Sequence, residues 1–296
     1  MIEKPDTDGR RYRGWSSRLR PAWFSIWPIA WTGLNLVLRR KLFWLLLGIT
    51  LINFLFLFAT IYLKAQIRVE NPAVMRFVDS VLESVSGTGE TYRDFMAAQG
   101  TVTMLMLAFA GEVLVGNDYR CGGLTFYLSR RIGRRHYLLG KLLSIGLLVQ
   151  LTTALPALVL YLEYGLLTDS AVYFRENTRI LLGILGYGLV MAVPLSLVLF
   201  ALAAWLQRTV PLVMGWACLF VLMPAIGAIL RKVYDDRHWH LLSFWRDIRL
   251  LGSWCFGAIP DRDEPLIIGA VTVVAAVCAV AVLAAIPQVQ AVKVVR

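Results

Sequence analysis

The stretch YDDRHWH brings together Asp235, Asp236, His238 and His240, residue types that bind divalent metals. A His-x-His pair chelates on an extended segment, but on a helix two residues apart point about 200° from each other. The competing reading is the start of a surface helix with acidic first-turn residues, and no metal is expected here. Glu112 is the one ionisable residue found inside an apolar run. A carboxylate there is either a gate on a pathway or, being near the end of its run, the partner of an arginine in the next loop.

Other chemistry is missing. The chain has no HExxH, no GxSxG and no aspartate at the centre of an apolar run, so neither an intramembrane enzyme nor an ion-coupled carrier finds its usual groups. The segment LLGKLL at 138–143 imitates a phosphate loop, but Arg135 stands where the first glycine belongs and Leu142 follows the lysine. No cofactor is therefore expected on this chain, and any ATP and Mg chemistry must come from another. Cys121, Cys218, Cys255 and Cys278 form no CxxC pair, which argues against a zinc site or a disulfide framework.

The elements that would position such residues are long apolar runs. Of 296 residues, 58% are hydrophobic and 17% charged, well away from the balance of soluble domains. Residues 42–63 are uncharged between Lys41 and Lys64. As a helix they extend about 33 Å, enough to cross a hydrocarbon core of about 30 Å. Comparable spans are expected at about 96–115, 142–162, 180–206, 210–230 and 266–292. The expected fold is all-α and polytopic, with six transmembrane helices and a short tail at 293–296.

Basic residues set the orientation. With the amino terminus in the cytoplasm, segments 1–41, 116–141, 207–209 and the tail carry eighteen Lys and Arg. The opposite side carries twelve, balanced by fourteen acids. The positive-inside bias predicts both termini in the cytoplasm, and the expected location of this multi-pass protein is the plasma membrane. It also accounts for the net charge of +11 without nucleic acid. The first 41 residues offer nine Lys and Arg and no apolar core of a signal peptide.

Within that segment Trp23, Trp27 and Trp31 recur every fourth residue. This spacing puts three indoles on one face of an interfacial amphipathic helix, or forms an aromatic belt ahead of the first span. Pro28 predicts a kinked or two-piece helix. Residues 64–95 read as a short helical excursion. In 231–265, Leu241, Trp245 and Ile248 predict a helix that re-enters the membrane or lies on its outer surface.

The loop at 117–141 holds Arg120, Arg130, Arg131, Arg134, Arg135 and Lys141 against one acid, Asp118. In its middle Leu124, Tyr127 and Leu128 share one face of a short helix, with Gly122 and Gly123 before it and Gly133 after it. Two readings stand for this apolar tip, which includes Phe126. It plugs a groove on a soluble partner, or it folds back onto the bilayer with its arginines on anionic headgroups.

This stretch resembles the segment between the second and third spans of type-2 ABC transporter permeases. The matching residues are Asp118, Gly122, Leu124, Leu128, Ser129-Arg130, Arg134 and Gly140-Lys141. Asp118 stands where glutamate is commoner, and Arg131 where proline is usual. The resemblance implies a cytoplasmic coupling helix that docks on a separate ATPase through Asp118, Gly122, Leu124, Phe126, Tyr127, Leu128, Ser129, Arg130 and Arg134. It also implies two ATPase subunits, a second permease copy as homodimer or heterodimer, and export of a substrate through the lipid bilayer. The rivals to this non-catalytic subunit are a non-transporting anchor or assembly factor and an intramembrane enzyme.

Overall fold

The apolar runs become helices because a chain in hydrocarbon must pair its backbone N–H and C=O groups within itself. A computed structural model describes residues 21–66, 87–123, 133–167, 170–260 and 262–288. Helix α1 (Ile26–Leu38) is followed by the first span, α2 (Lys41–Gln66). The second span is α3 (Gly89–Gly111), continued through a π-helical turn at Glu112–Gly116 into α4 (Asn117–Arg120). The third joins α5 (Arg134–Thr152) to α6 (Ala154–Leu167), and α7 (Ser170–Glu176) leads to the fourth, α8 (Thr178–Leu206). The fifth is α9 (Thr209–Ala217), a π turn at Cys218–Leu222 and α10 (Met223–Tyr234). After a 3₁₀ turn and α11 (Phe244–Phe256), the sixth span is α12 (Ile267–Gln288).

Six helices are long and apolar enough to cross a membrane, and no strand occurs among the described residues. Trp205 donates to the Ala284 carbonyl at 2.9 Å, which puts the end of α12 beside the end of α8. The spans are longer than their uncharged cores: the second begins at Gly89 rather than 96, and the third covers Arg134–Leu167. Charges at helix ends hid these extensions, because helical periodicity continues past the last apolar residue. The excursion expected at 64–95 falls largely outside the described residues, as does the tail beyond 288.

The core is built on α3 and α8, each of which buries more than half of its apolar stretch, against under a quarter for α2, α9–α10 and α12. Polar side chains tie α3 to three neighbours. Gln99 donates to the Thr50 carbonyl of α2 at 2.9 Å, and Trp216 of α9 donates to the Met104 carbonyl at 3.1 Å. The Thr103 and Thr152 hydroxyls pair at 2.7 Å between α3 and α5. Such bonds hold membrane helices together where apolar surface gives little preference for helix over lipid. On α12, Ala281 and Ala285 are buried in the core, while Ala275 and Ala279 face outward.

Trp23, Trp27 and Trp31 lie exposed along one side, with Trp27 and Trp31 stacked at 6.4 Å. The opposite face of α1, including Ile29, Ala30, Gly33 and Leu34, is buried against α5. Gly140 permits this approach, since a Cβ there would lie 2.9 Å from the Ile29 Cβ. The segment is in two pieces, as read: a 3₁₀ turn at Ala22–Ser25 runs into α1, and Pro28 occupies the first turn of α1, where its missing N–H costs no intrahelical bond.

The 231–265 connection folds back onto the bundle through α11, which packs against α8, α12 and α3. Its contact with α8 depends on Gly252, where any Cβ would fall inside the ring of Tyr187.

Candidate functional site

Lys141 lies within α5 with its side chain only 3% exposed, a depth at which an ammonium needs both a counter-charge and hydrogen-bond acceptors. It finds both. Its Nζ is 2.7 Å from Asp118 Oδ2 and donates to the Leu114 carbonyl at 2.6 Å. Tyr137, one turn earlier on α5 and fully buried, donates to the same Asp118 oxygen at 2.9 Å. The loop's single acid therefore joins the two helices that enter and leave it. Removing one member of such a buried pair costs about 3–5 kcal/mol, because the other charge is left without compensation.

The π turn at Glu112–Gly116 lies beside this cluster. Glu112 forms an ion pair with Arg120 at 3.3 Å and accepts a hydrogen bond from Thr209 at the start of α9. Leu114 lies against Gly33 of α1, and Gly116 packs on the backbone of Gln207 at the α8–α9 corner. Gln207 itself adopts left-handed backbone, φ 52°, to turn that corner. The segment from Glu112 to Asp118 is thus fastened to α1, α5 and α9 at once. Glu112 also borders a cavity of about 270 Å³ with Arg40, Lys41 and Thr209, walled by Phe43, Leu46 and Met106.

Of the predicted site residues, Asp118, Gly122, Arg134 and Glu112 are described. Gly122 adopts φ 70° just after α4 ends, a conformation that favours glycine, so the chain break read there is present. Arg134 opens α5 and is exposed. Leu124, Phe126, Tyr127, Leu128, Ser129 and Arg130 lie outside the described residues. The pairing of Glu112 with a loop arginine is as read, through Arg120. Tyr137 was missed, although its place four residues before Lys141 puts both on one helix face toward the lone acid.

The histidine stretch forms no chelate. Asp235 turns the end of α10 in left-handed backbone, φ 50°. Asp236 accepts from the His238 backbone at 2.9 Å and meets its Nδ1 at 2.7 Å. Those bonds hold the Asp236 carboxyl below its ordinary range. His240 lies between the guanidinium groups of Arg231 and Arg246. Burial, then those two cations, pushes its pKa down, a setting that repels a metal ion as well as a proton. Among the described residues no three His, Cys, Asp or Glu side chains group closely enough to hold a metal.

Compared with known protein families and with curated proteins, the chain matches none.

Proposed function

We propose that this chain is the membrane-spanning subunit of an ABC transporter, an exporter driven by ATP hydrolysed on a separate chain. In this reading the Asp118 end faces the cytoplasm, the membrane is the plasma membrane, and two such permeases join two ATPase subunits that bind ATP and Mg. The observation that carries it is the Lys141–Asp118–Tyr137 cluster. The acid and the lysine of the resembling motif, 23 positions apart, are the two residues that pair, so they brace both legs of the loop the motif defines.

The mechanics follow from what is fastened to what. A partner gripping Phe126 and Tyr127 pulls on a loop whose two legs share a buried ion pair. The load passes along α3 and α5, and through Glu112–Thr209 into α9. ATP-driven closure of the partner dimer would then tilt spans two, three and five together. The lightly buried faces of α2, α9–α10 and α12 remain for lipid and for the second permease.

The test is co-purification. Replacing Phe126 and Tyr127 together with alanine should abolish recovery of an ATPase with the permease while the membrane subunit stays folded. Undiminished recovery would overturn the proposal.

A further inference from the structure

At the end of the bundle opposite Asp118, a cavity of about 400 Å³ opens between α3, α8, α11 and the turn before α12. This is within the range of small-molecule sites, roughly 300–1,000 Å³. Arg93, Arg246 and Arg249 line it, against two carboxylates. The carboxylates are committed: Asp94 takes Arg93 at 2.8 and 3.2 Å, and Asp263 takes Arg246 at 3.2 Å. Arg93 spends a further N–H on the Ala258 carbonyl at 2.9 Å. The side chain of Arg249, which is exposed, has no hydrogen bond or ion pair among the described residues, so the lining carries three guanidinium groups against two carboxylates.

A second observation points the same way. The Tyr187 side chain is fully buried, lines this cavity, and its hydroxyl makes no hydrogen bond among the described residues. An unpaired buried hydroxyl carries a desolvation cost that a ligand acceptor would relieve. Tyr187 cannot swing away to find another partner, because its ring fills the space over Gly252. Trp245 and Leu250 add an apolar wall beside these groups.

We propose that this cavity is a binding site for an amphiphilic oxyanion, a carboxylate or phosphate headgroup on a short apolar body. The headgroup takes the Arg249 guanidinium and the Tyr187 hydroxyl, and the body rests on Trp245 and Leu250. The site stands on its own geometry and does not depend on the chain being an ABC permease.

The test uses the full chain in phosphatidylcholine nanodiscs, titrated calorimetrically with octyl phosphate. Saturable binding is expected. Arg249→Gln should weaken it by about tenfold or more, the usual loss for a charge-assisted hydrogen bond. Tyr187→Phe keeps the ring in its seat and should weaken binding by about threefold to tenfold, as for a neutral donor. Lys232→Gln, an exposed cation outside the cavity, should leave it unchanged. Competition by inorganic phosphate would assign a soluble anion, and competition by phosphatidate added to the discs a lipid headgroup; either upholds the oxyanion site. Binding that fails to saturate, or that Arg249→Gln leaves intact, overturns it.

Discussion

At the Asp118 end of the bundle Lys141, Asp118, Glu112 and Arg120 each meet an opposite charge, and Tyr137 and Thr209 complete the hydrogen bonding. At the Tyr187 end Arg249 and the Tyr187 hydroxyl meet none among the described residues, although they share one cavity. Satisfied charges are structural: they make two helices move as one. An unpartnered hydroxyl buried at the other end invites a ligand, because the protein has already borne its desolvation. The contrast separates an end suited to carrying force from an end suited to holding something.

The largest expected effect lies at the Asp118 end. Lys141→Met should destabilise the folded chain by about 3–5 kcal/mol, with the partly buried Asp118 left without its counter-charge. Adding Asp118→Asn should recover most of that loss in thermal unfolding in detergent. Additive losses would show that the two residues do not act as a pair.

Next comes Asp247, on α11 and 2% exposed. Burial pushes its carboxyl up to about 7, opposed only in part by Arg246. The folded state holds this proton more tightly than the unfolded chain, so stability should fall as pH rises from about 4 to about 7 and level off above. Asp247→Asn should remove that slope, worth on the order of a few kcal/mol. A slope unchanged in the variant would place the titration elsewhere.

A smaller effect is expected where α11 sits on α8. Gly252→Val drives a side chain into the Tyr187 ring and should cost about 1–3 kcal/mol. The partly buried Cys255, whose thiol burial pushes up, should then react faster with maleimide. Equal labelling rates would mean that α11 does not depend on this seat.

The smallest belongs to the half-exposed Glu112–Arg120 pair. Arg120→Gln should change stability by less than about 1 kcal/mol, since solvent screens such pairs. A loss as large as that of Lys141→Met would erase the ranking of buried over exposed charge within the Asp118 end.

Much of this was legible in the sequence where the cause is local. Six apolar runs long enough to cross hydrocarbon gave six helices, and Glu112 near the end of its run gave a pairing with a loop arginine. The exposed indole face of α1 followed from a spacing of four. The two-piece helix read from Pro28 is present, but its form was not legible, because the 3₁₀ turn before α1 is not written in periodicity. The seat of α11 was hidden for a different reason. Gly252 and Tyr187 are 65 positions apart, and their fit exists only once two helices have packed. Tyr187 and Arg249 are likewise 62 positions apart, and no motif joins them in the sequence.

The central claim is that work done on another chain reaches these helices through residues 124–128. A photoreactive phenylalanine analogue at Tyr127, illuminated in native membranes, tests it directly. The account predicts an adduct with a chain that carries a phosphate loop, in a yield that changes when ATP is added. Adducts with lipid alone, or a purified lone chain that moves substrate without any ATPase, would contradict it.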